Sequence, residues 1–218
     1  MSVDEKLVKP TDGVVSKYLN RRISLRITRF IINRGFDISP SHISIISFII
    51  GLSASLLYLY GYIFFGGLLL QLSSIVDGVD GELARALGRV SKIGGFMDSV
   101  MDRIVNILAI SNITIYLFGS GYSGVYTIYI GLFALSGDLL VTYLHSIAVK
   151  DFGVHPALIG VIPPFASRDV RIFILFISSI LYPLIDISLY YSLLLLGIIS
   201  YTYTSLKVVE IIINFRDV

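Results

Sequence analysis

Six apolar stretches separated by short polar breaks organise the chain, at about residues 42–62, 65–88, 95–118, 124–149, 170–185 and 188–213. An α-helix of roughly 20 apolar residues crosses a bilayer core, so the pattern predicts six transmembrane helices. Ahead of them, Val14, Tyr18, Ile23, Leu25, Ile27, Ile31 and Ile32 alternate with Lys17, Arg21, Arg22, Arg26, Arg29 and Arg34. That alternation, over 13–35, predicts an amphipathic helix lying on a membrane surface. The break Asp37-Ile38-Ser39-Pro40 follows, with Ser39 or Ser41 able to cap the next helix. Residues 1–12 are polar and expected to be mobile, and no short apolar run follows them as in a signal peptide. The expected architecture is all-α: a cytoplasmic segment with its surface helix over 1–41, then a six-helix membrane domain over 42–218.

Composition agrees. The 218 residues are 55% hydrophobic and 15% charged, whereas soluble domains carry about 25% charge. The absence of cysteine excludes disulfides, thiolate catalysis and Cys-bound zinc. Gln71 is the single glutamine, and such a composition fits a heat-adapted source. With six spans and both termini inside, all 17 Lys and Arg fall in inner segments. The turns near 62–65, 118–123 and 185–188 hold none, and an odd number of spans would break this segregation. The reading is an integral cell-membrane protein with both termini and its active site cytoplasmic.

The chemistry concentrates in DGVDGELARALGRVSKIGGFMDSVMD, residues 77–102. Ionised side chains in membrane segments are costly and usually functional. At about 100° per residue, Asp77 and Asp80 lie about 60° apart on one helix, and Asp98 and Asp102 about 40° apart on the next. Gly88, Gly94 and Gly95 shorten the connection, which predicts antiparallel neighbouring helices with both pairs at one depth. Four such carboxylates repel one another, and two divalent cations would cancel their charge. With oxygen ligands alone, Mg²⁺, Mn²⁺ or Ca²⁺ is favoured over zinc. A structural ion network with Arg85, Arg89 and Arg103 is the blander alternative, and it offers little stability for so much buried charge. Gly81, Ala84 and Gly88 share a small-residue face, suited to helix packing or to close approach of a ligand.

The pattern Asp77-x2-Asp80-Gly81-x2-Ala84-Arg85-x8-Gly94-x3-Asp98-x3-Asp102 resembles the signature of the CDP-alcohol phosphatidyltransferases, with every position filled. The likeness extends over about 36–212, and Ser39-Pro40-Ser41-His42-Ile43-Ser44 resembles that family's Asn-Pro-Asn-x-x-Thr, with Ser in place of Asn and Thr. It implies a fold of six spans, a homodimer, and two Mg²⁺ (or Mn²⁺) ions held by Asp77, Asp80, Asp98 and Asp102. It also implies Asp102 as general base and a cytidine site lined by Gly81, Ala84, Arg85 and Gly94. The run Lys9 to Ser24 further resembles the membrane domain of di-myo-inositol-phosphate-phosphate synthases. Those join CDP-inositol to inositol 1-phosphate, and a separate cytidylyltransferase partner would supply the donor.

Lys150, Arg168 and Arg171 lie on the inner side, and the three-residue spacing of Arg168 and Arg171 suggests one face gripping an acceptor phosphate. His145 and Asp138 could line the site, or Asp138 could be a polar spot inside the bundle. Phospholipid head-group synthesis from CDP-diacylglycerol or CDP-archaeol, with inositol phosphate or glycerol phosphate, is the competing assignment. A transporter is disfavoured because the acids sit at one membrane surface and no repeat halves are visible. An intramembrane prenyltransferase would lack the Ala84-Arg85-x8-Gly94 element. Nucleic acid is not expected as a partner.

Overall fold

A computed structural model describes residues 9–122 and 124–215; the polar residues 1–8 and the final basic residue Arg216 lie outside the described residues. The described residues form helices joined by turns and loops, without strands. A π-helical turn, Ser16–Asn20, runs directly into α1, Arg21–Asn33. The bundle helices are α2 (Pro40–Leu59), α3 (Ile63–Ala86), α4 (Lys92–Gly119), α5 (Val125–Phe152), α6 (Arg168–Leu181) and α7 (Ser188–Asn214). Pro40 opens α2 in the first turn, where its missing N–H would have no helical partner. Gly153, at φ 69°, ends α5 in the left-handed conformation.

Five helices, α2, α3, α4, α5 and α7, are long and apolar enough to cross a membrane. The remaining apolar stretch forms the 14-residue α6. At 1.5 Å per residue it is about 21 Å long, short of a hydrocarbon core of about 30 Å. The six helices close a ring in the order α2, α3, α6, α7, α5, α4, and α1 lies against α3. Tyr58, Leu70, Ile113, Leu117, Leu189, Leu193 and Leu196 fill its main apolar core.

The helices bearing the two aspartate pairs are not packed side by side as their short connection suggested. Among the described residues α3 and α4 each pack along α2 instead. Gly51 of α2 makes this possible: a Cβ there would lie 2.7 Å from the Val105 side chain of α4 and 3.0 Å from Ser73 Oγ of α3. A cleft is left between α3 and α4 at the end that carries the aspartates.

Helix α1 also departs from the two-faced expectation. Ile23, Phe30 and Ile32 are exposed, as are Arg22, Arg26 and Arg29, in keeping with a surface helix. The face turned into the protein is polar: Arg21, Ser24 and Thr28, with Ile31. These converge on Glu82 of α3, which is fully buried. Its Oε1 accepts from Arg21 Nη1 at 2.7 Å and Ser24 Oγ at 2.5 Å, and its Oε2 from Thr28 Oγ1 at 2.6 Å. Residues 9–12, expected to be mobile, are held by the bidentate pair of Asp12 with Arg21.

Two more buried ionic clusters fix the helices. Asp138 of α5 pairs with Arg171 Nε at 2.9 Å, accepts from Asn106 Nδ2 at 3.0 Å and lies 3.6 Å from Arg103 Nη1, joining α4, α5 and α6. Lys207 Nζ of α7 donates to Glu210 Oε2 at 2.7 Å and to Ile159 O at 2.8 Å. Glu210 Oε1 accepts from Val161 and Ile162 N–H groups, tacking the 153–167 loop onto α7. Removing one member of a buried pair leaves an uncompensated charge, which costs roughly 3–5 kcal/mol. Arg171→Ala is therefore expected to lower the thermal midpoint in detergent, followed by far-UV circular dichroism. The double change Arg171→Leu with Asp138→Leu should recover most of that loss.

Candidate functional site

The cleft between α3 and α4 carries the aspartates. Asp77, Asp98 and Asp102 are partly buried, and each offers a carboxylate oxygen within 4.8 Å of the others. Asp80, one turn along α3 from Asp77, is buried beside them, and its Oδ2 accepts from Ser44 Oγ of α2. The Ser39–Ser44 segment therefore reaches the site, and serine at 44 keeps the hydroxyl that matters.

Arg168, the first residue of α6, enters this group. Its Nη1 lies 3.1 Å from Asp77 Oδ2 and its Nη2 2.7 Å from Asp102 Oδ1. Arg168 pairs with two of the four carboxylates, so its single charge does not balance the set. The donors are all hard oxygens, so the residues fit Mg²⁺ or Mn²⁺.

Two cavities meet at this point. One, of about 400 Å³, is lined by Gly81, Ala84, Arg85 and Gly94, together with Ser39, Ser41, Asp80 and Asp98. All four residues expected to form a nucleotide site thus line one cavity, three from α3 and Gly94 from α4. Small side chains at 81, 84 and 94 leave the backbone accessible, and the Gly94 N–H is turned onto Ser91 Oγ at 2.9 Å, capping α4. The other cavity, of about 310 Å³, holds Asp77, Asp102, Arg103, His145, His155 and Arg168. Asp80, Gly81 and Asp98 border both.

The three cations read as an acceptor-phosphate grip are not brought together. Arg168 lines the second cavity. Arg171 turns into the bundle onto Asp138 and donates from Nη1 to Ala166 O. Lys150 is exposed near the C-terminus of α5, away from either cavity. Three residues along a helix give a shared face at the backbone, but two long side chains on that face can leave in different directions. Asp138 is likewise the interior polar spot and not a lining residue, whereas His145 does line the cavity.

Several lining groups escaped the sequence reading. His155 lies against His145, with ring centroids 4.5 Å apart and the rings tilted by 57°. Burial, with Lys207 and Lys9 nearby, holds its imidazole pKa below the usual value. Its Nδ1 accepts from Ala157 N–H at 3.1 Å. Ser167 Oγ is buried on the wall without a hydrogen-bond partner among the described residues. Asp12, Gly13 and Ser16 roof the same cavity. The one signal for this roof was the Lys9–Ser24 run, noticed only as a resemblance.

Comparison with known proteins agrees with this geometry. The bifunctional IPC transferase and DIPP synthase of Archaeoglobus fulgidus is 32% identical over 207 residues, which cover 93% of this chain and 40% of that protein. The chain thus spans less than half the length of that relative. The archaetidylinositol phosphate synthase of Pyrococcus horikoshii is 36% identical over 143 residues, 66% of this chain and 70% of that one. The fold is shared with Mycobacterium tuberculosis phosphatidylinositol phosphate synthase bound to CDP-DAG. That match has a TM-score of 0.72 at 18% identity and covers 88% of this chain and 94% of the other. The same enzyme, also solved in complex with manganese and citrate, matches at a TM-score of 0.67 and 18% identity over 85% and 87%. The family pattern named CDP-alcohol phosphatidyltransferase matches residues 37–206, and this chain belongs to that family.

Proposed function

We propose that the chain transfers a phosphoryl-alcohol group from a CDP-alcohol to an acceptor hydroxyl, releasing CMP. The observation that carries this reading is the placement of four aspartates where a cavity lined by the nucleotide-signature residues meets a polar one. Asp77, Asp80, Asp98 and Asp102 would hold two divalent cations, Mg²⁺ or Mn²⁺. Bound there, these would polarise the donor diphosphate and offset its charge.

Gly81, Ala84, Arg85 and Gly94 line the donor side and receive the cytidine. Asp102 takes the proton of the acceptor hydroxyl. The freed oxygen bonds to the phosphorus bearing the alcohol, the bond from that phosphorus to the CMP oxygen breaks, and CMP leaves with the electron pair. Arg168 holds the Asp77 and Asp102 carboxylates in register.

For the acceptor, we favour inositol 1-phosphate, with CDP-inositol as donor and di-myo-inositol phosphate phosphate as product. Ser16, Asn20, Ser74 and Ser167 supply hydroxyl-binding groups to the second cavity, and Arg103 and Arg168 supply positive charge for a phosphate. These two replace the grouping of Lys150, Arg168 and Arg171. The match to the bifunctional A. fulgidus relative covers 93% of this chain and so extends ahead of the 37–206 family region, toward the N-terminal roof. The lipid alternative, archaetidylinositol phosphate synthesis, is supported by the 70% coverage of the P. horikoshii relative. The site faces the cytoplasm in this reading, the enzyme acts as a homodimer, and a cytidylyltransferase supplies CDP-inositol.

Asp77→Ala, Asp80→Ala and Asp98→Ala should each abolish turnover and weaken Mn²⁺ binding, read by electron paramagnetic resonance. Asp102→Asn should lower turnover by about 10²–10⁴-fold, the usual worth of a general base, while sparing donor binding better than those three. A radiolabelled transfer assay with Mg²⁺ and inositol 1-phosphate, run in parallel with CDP-inositol and CDP-archaeol, decides the donor. Water-soluble product is expected; lipid product would move the assignment to head-group synthesis.

A further inference from the structure

We propose that Lys9 contacts the phosphoryl group undergoing transfer, and that Asp12 and Arg21 are the positioning residues that hold it there. Among the described residues Lys9 is the one cation that lines both cavities, beside Asp80, Gly81 and Asp98. The transferred phosphoryl group begins on the donor side and ends on the acceptor side, so it must lie at that seam. The inference rests on the CDP-alcohol reading above, but Lys9 lies ahead of the 37–206 region that carries the family pattern.

An exposed lysine near a chain start would ordinarily be a solvated charge. This one stands on a braced strap. The Lys9 N–H donates to Asp12 Oδ2 at 3.2 Å, and the Asp12 N–H donates back to Lys9 O at 3.1 Å. Asp12 receives Arg21 Nε at 2.9 Å and Nη2 at 3.0 Å. Arg21 continues the relay, its Nη1 donating to buried Glu82 at 2.7 Å and to Gly78 O at 3.1 Å. Gly78 lies between Asp77 and Asp80, so the position of Lys9 is tied to the turn that carries the two aspartates.

The far end of the strap is fixed as well. Ser16 N–H donates to Asp169 Oδ2 at 2.5 Å, next to Arg168. Gly13 packs so closely on Ser167 and Asp169 that any Cβ there would collide with both side chains. The strap therefore bridges the two walls of the acceptor cavity. The backbone that carries Lys9 is held by hydrogen bonds to the charged Asp12, itself paired with Arg21, and such bonds are stronger than neutral ones.

The test is equilibrium binding of CDP and of CMP, with Mg²⁺, to the detergent-solubilised full chain. CDP carries the second phosphate and CMP does not. Lys9→Ala should weaken CDP about tenfold or more, the worth of one contact to a charged group, and leave CMP nearly unchanged. Lys9→Arg should restore most of the loss. Asp12→Asn frees the strap but leaves Arg21 on Glu82. It should reproduce part of the CDP loss, and adding it to Lys9→Ala should weaken CDP no further. Equal loss for both nucleotides, or loss for neither, overturns the assignment. If the unaltered protein binds neither nucleotide, the CDP-alcohol reading falls and takes the assignment of Lys9 with it.

Discussion

Carboxylates crowded at the end of an apolar bundle repel one another and lose hydration, and the rest of this structure answers that cost. Arg168 bridges Asp77 and Asp102 from a third helix, and Ser44 satisfies Asp80 from a fourth. The two aspartate helices stand apart on α2 instead of closing on each other, and Gly51 lets both come near that support. The separation leaves the cleft between the two helices open beside the carboxylates. A tightly packed antiparallel pair would have satisfied the apolar side chains and buried the acids with nothing to bind.

The bundle and its chemistry were largely legible in the chain. Apolar runs of membrane length located the helices, and the spacing of Asp77, Asp80, Asp98 and Asp102 put two acids on one face of each of two consecutive helices. What stayed hidden depended on partners distant in sequence. Glu82 lies in a helix dense with acids, and nothing local says that Ser24 and Thr28, more than fifty positions earlier, will surround it. The resulting polar face of α1 is invisible to a pattern that sorts residues only into apolar and basic. Connection length fixed where α3 ends and α4 begins, but not the angle between them. Arg168 and Arg171 share a helical face, yet one meets Asp77 and Asp102 in the cleft and the other Asp138 in the core, because α6 sits at the boundary between cleft and bundle.

The buried ionic clusters divide the labour of registration. Glu82 docks the surface helix, Asp138 joins three helices below the site, and Glu210 with Lys207 holds the 153–167 loop. Such groups contribute little net stability compared with apolar replacements of similar shape. Their directionality offers something else: apolar packing tolerates sliding along a helix, whereas a carboxylate with three specific donors does not. Each cluster sits on or holds an element that delivers a lining residue, so the placement of the cleft is set from within the bundle.

The shortness of α6 reaches beyond the protein itself. Where the other walls are helical, this one continues as the 153–167 loop, with Pro156, Ile159 and Ala166 buried and the cavity on its other side. This part of the ring is therefore closed by irregular backbone, beside a helix shorter than a hydrocarbon core. A bilayer accommodates such a mismatch by thinning locally or by tilting the helix. Either response would move the cleft's aspartates relative to the lipid–water boundary, so their depth would depend on lipid chain length as well as on the protein's own packing.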